Sequence, residues 1–299
     1  MAKILIIGGG AAGMAAAAFL GEHGHQVHVF EKNEKLGKKL FITGKGRCNL
    51  TNSCDEETFF QSVVSNEKFL YSAFHGFSNE DAIAYFEQLG LPLKEERGGR
   101  IFPKSDHSSD VIKALEQRMK ELDVKIHLNS LVKEILLQET DEGQKKVTGV
   151  LLENGQKIVG DKVIVATGGM SYQATGSTGD GYEFAKQAGH KVTTLRSALV
   201  PMETKEEYIP RMQGLSLKNV RFTVKDGKKV LYQDFGELLF THFGMSGPLV
   251  LTASSYLGKK LEKKELQGTI DLKAALTEEQ LDARLLRCLL YTSDAADEA

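Results

Sequence analysis

Residues 3–32 of this 299-residue chain have the sequence "KILIIGGGAAGMAAAAFLGEHGHQVHVFEK". It begins with a short apolar run over residues 4–7, which predicts a buried parallel strand. A glycine-rich turn over residues 8–13 leads into a predicted helix over 14–22, and Gln26–Phe30 predicts a second strand. Strand, turn, helix and strand within about 30 residues form a β-α-β unit, which predicts an α/β domain with a parallel sheet.

The glycine turn has the spacing of a dinucleotide-binding site, Gly8-x-Gly10-x-x-Gly13. In such a site the first glycine allows the tight turn, the second lets the backbone approach a pyrophosphate, and the third lets the helix pack on the strand. The N-terminus of the helix offers free N–H groups and a partial positive charge to the phosphates. Glu31 ends the second strand, where an acidic side chain accepts hydrogen bonds from a ribose. The motif predicts a bound dinucleotide, but it does not distinguish NAD from FAD.

The bulk composition narrows the class of protein. The 38 basic and 40 acidic side chains give a net charge of −2, which argues against a protein that coats nucleic acid or membrane. No apolar run in the sequence approaches the ~20 residues that cross a bilayer. The three cysteines are too few for a disulfide framework, so we expect a cytoplasmic location. No residues have the spacing of metal ligands, and no metal site is expected.

The predicted secondary structure changes along the chain. Strand and helix patterns alternate up to about residue 189, whereas segments such as "NVRFTVKDGKKVLYQDFGELLFT" alternate in β fashion around a turn at Asp226-Gly227. We therefore expect a first domain over residues 1–193 and an inserted β-rich domain over 194–267. Residues 268–287 are expected to begin the return to the first domain. The last twelve, "CLLYTSDAADEA" at 288–299, resemble adapter read-through and are expected to be the non-native tail of a truncated chain.

A second element favours FAD as the dinucleotide. The segment "KVIVATGG", residues 162–169, predicts a buried strand that ends in Ala-Thr-Gly. Such a strand recurs in two-dinucleotide-fold flavoproteins, where it returns beside the glycine turn, and the alternative is one more buried strand before a glycine turn. The segment "GSTGDG" at 176–181 is not a second Gly-x-Gly-x-x-Gly motif. We therefore expect no permanent NADPH domain, and NAD(P)H would bind only as a transient co-substrate.

The loop "GKKLFITGKGRCNLTN", residues 37–52, resembles the signature of a family of bacterial NAD(P)/FAD-dependent oxidoreductases, the aminoacetone-oxidase-like flavoproteins. Further resemblance follows in "GGRIFPKSDHSSDVIKAL" at 98–115, "ATGGMSYQATGSTGDGYEFAKQAGH" at 166–190 and "GELLFTHFGMSGPLVL" at 236–251. It implies an α/β fold in which a two-dinucleotide-fold, glutathione-reductase-like FAD domain is interrupted by a β-rich substrate domain. It also implies a C-terminal glycine-rich segment that completes the FAD domain, and its absence from this sequence agrees with the expected truncation.

The same resemblance suggests cofactor contacts within the loop. Gly44 and Gly46 would bring backbone N–H groups to the FAD, and Arg47 and Asn49 would contact its phosphate and flavin side. An arginine supplies a charge-assisted fork to a pyrophosphate, and a surface ion pair is the alternative for Arg47. Val132 lies on a strand where this fold commonly pairs the adenine with backbone groups, with plain core packing as the alternative. The full set of candidate cofactor-binding residues is Gly8, Gly10, Ala12, Gly13, Glu31, Lys32, Gly44, Gly46, Arg47, Asn49, Val132, Thr167 and Gly168.

The sequence gives only weak signals for a catalytic side chain. His242 is a candidate proton donor near a substrate, and Cys48 is a candidate thiol; structural roles are the alternatives. The spacing between Cys48 and Cys54 matches neither thioredoxin-like nor glutathione-reductase-type disulfide sites. Two unpaired thiols are therefore expected.

The resemblance implies a reaction in two halves. NAD(P)H passes a hydride to FAD, and the reduced flavin passes it to an electron-poor carbon–carbon double bond. The family suggests two substrates, an unsaturated 3-oxo bile acid and a uridine of ribosomal RNA. Residues 196–267 contain 12 basic and 8 acidic side chains, a net charge of +4, which tilts slightly toward RNA. The alternatives are a non-catalytic flavin-containing module that binds RNA or the ribosome, and an amine oxidase.

Overall fold

The computed structural model describes residues 1–140 and 143–294, and its contacts divide the chain into two compact units, Met1–Thr193 and Thr194–Ala299. The elements of the first unit are, in order, β1 (Lys3–Ile7), α1 (Ala11–Glu22), β2 (Gln26–Phe30), α2 (Lys38–Ile42), β3 (Thr51–Asn52), α3 (Glu56–Gln61), α4 (Glu67–Gly76), α5 (Asn79–Gln88), β4 (Leu93–Glu96), β5 (Arg100–Pro103), α6 (Ser108–Glu121), β6 (Lys125–His127), β7 (Val132–Glu139), β8 (Lys145–Leu152), β9 (Lys157–Val159), β10 (Lys162–Val165) and α7 (Asp180–Gln187). Those of the second unit are β11 (Met202–Glu203), β12 (Ser216–Asp226), β13 (Lys229–Phe240), β14 (Gly244–Ser246), α8 (Pro248–Leu261), β15 (Gln267–Asp271) and α9 (Glu278–Asp294).

A parallel sheet with the strand order β10-β1-β2-β6 carries the first unit. Helices α1 and α6 cover one face, where Met14 and Met119 are fully buried. On the other face, Leu5 and Phe30 pack against the antiparallel sheet β7-β8-β9 through Val150. Helices on a parallel sheet confirm the predicted α/β class.

Helix α1 begins at Ala11, three residues before the predicted start, so the helix N-terminus adjoins the glycine turn directly. Its alanine-rich sequence suits close packing, because Ala17 and Ala18 are fully buried and add no bulk between helix and sheet. Strand β10 runs parallel to β1 and returns beside the glycine turn, as predicted. The prediction that it is buried was wrong, because β10 is an edge strand whose first and last residues are exposed.

Two features of the first unit differ from the sequence-based expectation. The loop at 37–52 is partly regular, because it contains α2 and β3; between them, Gly44 and Lys45 form a turn with left-handed backbone conformations. Helix α4 was not predicted; it buries only Phe74, and Phe69 is 84% exposed. Phe74 instead packs within an aromatic cluster with Phe59 and Phe60.

The second unit is built on a five-stranded sheet with the order β11-β14-β13-β12-β15. Strands β12 and β13 form the predicted hairpin around Asp226-Gly227. Helix α8 packs on this sheet, with Leu249, Val250 and Leu257 in the core.

The end of the described chain stays with the second unit. Strand β15 pairs with β12, so residues 268–271 complete the second sheet where a return to the first domain was expected. Helix α9 includes residues 288–294, the first part of the segment expected to be non-native, and 295–299 lie outside the described residues. No helix within the described ranges is long and apolar enough to cross a membrane.

Candidate functional site

A cleft opens at the carboxyl ends of β1, β2 and β10, where Ile7, Phe30 and Ala166 line it. Strand β1 has β2 on one side and β10 on the other, so connections leave the sheet in opposite directions at this edge. Ligands of open α/β sheets bind at such switch points. The cleft therefore lies where the fold class places a ligand.

The three motif glycines have different surroundings. Gly8 has φ +105°, and a Cβ there would lie 2.6 Å from the carbonyl oxygen of Ala166. A Cβ on Gly13 would overlap the carbonyl oxygen of Gly8, whereas a Cβ on Gly10 would meet no atom within 4 Å. Gly8 and Gly13 are thus required by packing, and Gly10 leaves bare backbone facing open space in the cleft.

The start of α1 supplies hydrogen-bond donors beside that space. Its first intrahelical bond runs from the N–H of Met14 to the carbonyl of Gly10, 2.9 Å away. The N–H groups of Ala11, Ala12 and Gly13 precede it, so they have no acceptor within the helix. Free N–H groups and the positive end of the helix dipole suit a phosphate. This geometry fits the pyrophosphate of the predicted dinucleotide.

Glu31 lines the cleft and accepts three hydrogen bonds there. The residue is only 7% exposed, and its Oε2 accepts the N–H of Gly9 at 2.7 Å. Its Oε1 accepts the backbone N–H of Asn33 at 2.8 Å and the side-chain amide of Asn33 at 2.6 Å. An ionised carboxylate has about four acceptor sites, so room remains for one hydroxyl group. Glu31 therefore fixes the turn and has capacity left for a ribose.

Polar contacts join the two walls of the cleft. The ammonium of Lys32 lies 2.7 Å from the carboxylate of Asp180 and donates to the hydroxyl of Thr178 at 2.6 Å. The amide of Asn33 donates to the carbonyl of Thr175 at 3.2 Å. Asn33, Thr178 and Asp180 were not predicted as site residues. The polar, glycine-rich segment at 176–181 was the only signal for Thr178 and Asp180, and Asn33 had none beyond its place after Glu31.

Thr167, Gly168 and Val132 also line the cleft. Gly168 has φ +73°, and a Cβ there would come within 2.9 Å of the hydroxyl oxygen of Ser177. The hydroxyl of Thr167 is buried and has no hydrogen-bond partner within the described part of the chain. Val132 is buried and pairs with Leu152, so it belongs to the core as well as to the cleft edge.

Gly44, Gly46, Arg47 and Asn49 do not line this cleft. The guanidinium of Arg47 forms ion pairs with Glu96 at 2.8 Å and with Asp106 at 3.3 Å. It also lies 4.2 Å from the centre of the Phe102 ring. The alternative considered for Arg47, an ion pair, is the arrangement that the structure shows.

These ion pairs change the acidity of both carboxyl groups. The hydrogen bonds from Arg47 hold the pKa of Glu96 below its usual value, and Lys94 adds to this effect. The hydrogen bond from Lys94 lowers the pKa of Asp106, with a further contribution from Arg47. The network joins the loop at 43–48 to β4, and three residues of that loop, Gly44, Lys45 and Cys48, have φ near +58°.

The two catalytic candidates lie in unlike places. Cys48 is 1% exposed, and burial raises the pKa of its thiol although a hydrogen bond with Thr43 opposes the shift. A buried neutral thiol is poorly suited to nucleophilic attack. His242 belongs to the second unit, where it is exposed and its ring lies 4.8 Å from the ring of Phe243. Over the described residues, no group of three or more His, Cys, Asp or Glu side chains is arranged to hold a metal ion.

One family model and two relatives of known name match most of this chain in sequence. The family model of the HI0933-like protein Rossmann domain matches residues 2–292. The 3-dehydro-bile acid delta(4,6)-reductase of Clostridium scindens is 32% identical over 295 residues, which cover 96% of this chain and 69% of that protein. A ribosomal RNA dihydrouridine synthase of Haemophilus influenzae is 35% identical over 254 residues, which cover 84% of this chain and 61% of that protein. The chain thus spans roughly two thirds of the length of these relatives.

A solved structure resembles the fold. The crystal structure of 3-ketosteroid delta1-dehydrogenase from Sterolibacterium denitrificans has a TM-score of 0.50 to this chain at 16% identity. The match covers 76% of this chain and 62% of that structure. At this identity the likeness concerns the fold alone.

Gly13→Ala is expected to destabilise the first unit, because the new methyl group would overlap the backbone of Gly8. Overpacking of this kind costs about 1–3 kcal/mol or more. Gly10→Ala is the matched control, since its methyl group enters open space and should cost less than about 1 kcal/mol. Urea unfolding followed by circular dichroism measures both. Equal midpoints for the two variants would contradict the described packing of α1.

Glu96→Gln is expected to be less stable than the wild type at neutral pH, and the difference should shrink in acid. The pKa of Glu96 is lower in the folded protein than its ordinary value of 4.5, so its contribution is present above that pH. The contribution is lost as the pH falls through the folded value. Thermal unfolding between pH 7 and about pH 2 measures this difference. The exposed neighbour Glu95→Gln is the control, and an identical pH dependence for both variants would rule out the ion-pair network as the cause.

Proposed function

The chain belongs to the HI0933-like Rossmann-domain family, a family of FAD-dependent oxidoreductases, and from this premise we propose that it reduces an electron-poor carbon–carbon double bond with hydride from NAD(P)H. The observation that carries the proposal is the cleft, where the bare backbone of Gly10, the free N–H groups of α1 and the carboxylate of Glu31 converge. These groups match the pyrophosphate and the ribose of a dinucleotide.

FAD, when bound, supplies the redox chemistry by accepting a hydride and passing it on. The N–H groups at the start of α1 would hold its pyrophosphate, and Glu31 would accept a ribose hydroxyl. Lys39 lines the cleft and has no acidic partner among the residues that the structure describes, so its charge is available to a phosphate. The protein contributes binding, orientation and electrostatics at these atoms.

The names of the two relatives support the reaction type. A delta(4,6)-reductase and a dihydrouridine synthase both saturate a carbon–carbon double bond that is conjugated to a carbonyl group. Such a bond accepts hydride because the carbonyl withdraws electrons from it. We propose the same reaction type for this chain, with either a steroid-like molecule or a uracil of RNA as the substrate class.

A charged surface on the second unit favours RNA of these two. Five exposed lysines lie in the β12–β13 turn, in the last turn of α8 and just after that helix. We call them the lysine cluster: Lys228, Lys229, Lys260, Lys263 and Lys264. An ion pair between Lys264 and Asp226 joins the two groups. The other four lysines have no ion pair within the described ranges. A surface of this charge fits the phosphate backbone of RNA, and an RNA substrate fits the proposed cytoplasmic location.

Reconstitution with FAD tests the reaction type. The 299-residue chain is expected to bind oxidised flavin, and anaerobic NADH or NADPH should bleach the flavin absorbance. Gly10→Val is expected to bind flavin more weakly, because a Cβ at this position enters the open space of the cleft and the larger side chain would occupy part of it. The reduced protein should then be reoxidised by a uridine-containing RNA or by an unsaturated 3-oxo steroid.

Bound flavin that neither nicotinamide bleaches would contradict the reductase and support a non-catalytic module. Peroxide formation with an amine in air would instead indicate an amine oxidase.

The RNA preference is tested with the double variant Lys228→Glu/Lys263→Glu. Its affinity for a ribosomal RNA fragment should fall at least about tenfold, and the slope of log affinity against log salt should drop by about 1.4. Lys68→Glu/Lys120→Glu carries the same charge change on exposed helical positions of the first unit and is the control. Equal affinities for the two variants would overturn the assignment and favour a steroid-like substrate. Fluorescence anisotropy at several salt concentrations measures both quantities.

A further inference from the structure

We infer that Asp180 makes the cleft selective for an adenosine ribose without a 2′-phosphate, by neutralising the ammonium group of Lys32. The inference rests on the proposed function, in which this cleft holds a dinucleotide. It assigns a specificity role to a residue 149 positions away from Glu31 in the sequence.

Lys32 stands where a basic side chain would recognise a phosphorylated ribose. It directly follows Glu31 at the end of β2, and its side chain lines the cleft. In dinucleotide-binding folds a carboxylate at this place accepts ribose hydroxyls, and a nearby cation accommodates a 2′-phosphate. Glu31 therefore favours an unmodified ribose, whereas a free Lys32 would favour a 2′-phosphate. Whether Lys32 is neutralised by a partner determines which of the two ligands the cleft prefers.

Asp180 and Thr178 accept two of the three hydrogen bonds that the ammonium group can donate. Lys32 donates to Oδ2 of Asp180 at 2.7 Å and to the hydroxyl of Thr178 at 2.6 Å. The Thr178 hydroxyl in turn donates to Oδ1 of Asp180 at 2.8 Å, so the three groups form a closed ring of hydrogen bonds. Both charged side chains are more than two-thirds shielded from solvent, where an ion pair is less screened than on an open surface.

Asp180 is held in its charged form. Burial opposes its ionisation, but the hydrogen bonds from Lys32 and Thr178 outweigh burial and lower the pKa of Asp180. The residue also begins α7, where a negative charge is favoured by the helix dipole. The carboxylate therefore cancels the charge of Lys32 throughout the neutral range of pH.

The other lysines of the cleft support this charge pattern. Lys38 donates to the carboxylate of Glu34 at 3.1 Å, whereas Lys39 contacts the hydroxyl of Ser171 at 3.4 Å. Two of the three lysines that line the cleft are thus neutralised by carboxylates. A 2′-phosphate beside Glu31 would meet uncompensated negative charge, whereas a ribose hydroxyl would meet an acceptor.

Calorimetric titration with ADP-ribose and ADP-ribose 2′-phosphate tests the inference, because the two probes differ only in that phosphate. The wild type should bind ADP-ribose at least about tenfold more tightly, and Asp180→Asn should narrow this ratio about tenfold by binding the phosphorylated probe better. Adding Lys32→Met to Asp180→Asn should abolish the gain. Glu183→Gln is the matched control, since Glu183 lies on the same helix and pairs with Lys186 at 2.7 Å.

The outcomes separate the inference from the proposed function. An unchanged ratio in Asp180→Asn, or a wild type that binds both probes equally, would overturn the role of Asp180 while leaving the dinucleotide site intact. A wild type that binds neither probe would refute the dinucleotide cleft itself. The single variant Lys32→Met gives an independent check if Asp180→Asn does not fold. Binding of the phosphorylated probe should weaken further in that variant, because Asp180 loses its counter-charge, and unchanged binding would argue against the inference.

Discussion

The close approach of α1 to the glycine turn fixes the backbone geometry of the cleft in the first unit. No side chain fits between the Cα of Gly13 and the carbonyl of Gly8, so the helix N-terminus is held against the end of β1. Ala166, which directly follows β10, packs at the same corner, where its carbonyl oxygen lies against Gly8. Packing at this one point therefore places free backbone N–H groups at the switch point of the sheet.

The polar groups around that corner serve the fold and the site together. Glu31 accepts the N–H of Gly9 and so stabilises the turn, yet its remaining acceptor capacity faces the cleft. Lys32 joins the wall at β2 to the wall at α7 through Asp180, and the same contact sets the charge that a ligand meets. Buried or half-buried charges of this kind are stabilising only when they are paired and hydrogen-bonded. Stability and ligand selectivity are therefore coupled in this cleft.

Local features of the sequence predicted much of this architecture. The turn, α1 and the return of β10 were predictable because spacing and periodicity are properties of neighbouring residues. The contact between Lys32 and Asp180 was not, because 147 residues separate them and neither has a distinctive local pattern. Arg47 illustrates the same limit: its ion pairs with Glu96 and Asp106 depend on how β4 packs beside the loop. The part of the candidate site that backbone geometry defines was thus predictable from the sequence. The part that depends on ion pairs between distant residues was not.

Reaction type and substrate identity have different physical origins in this family. Two relatives of nearly equal identity to the chain, 32% and 35%, are named for a bile acid and for ribosomal RNA. A dinucleotide-binding turn has no contact that distinguishes a steroid from a nucleotide. Substrate choice must therefore depend on surfaces outside the turn. Under the proposed function, the lysine cluster is the candidate for such a surface, because its positive charge would attract a polyanion more strongly than a small hydrophobic molecule.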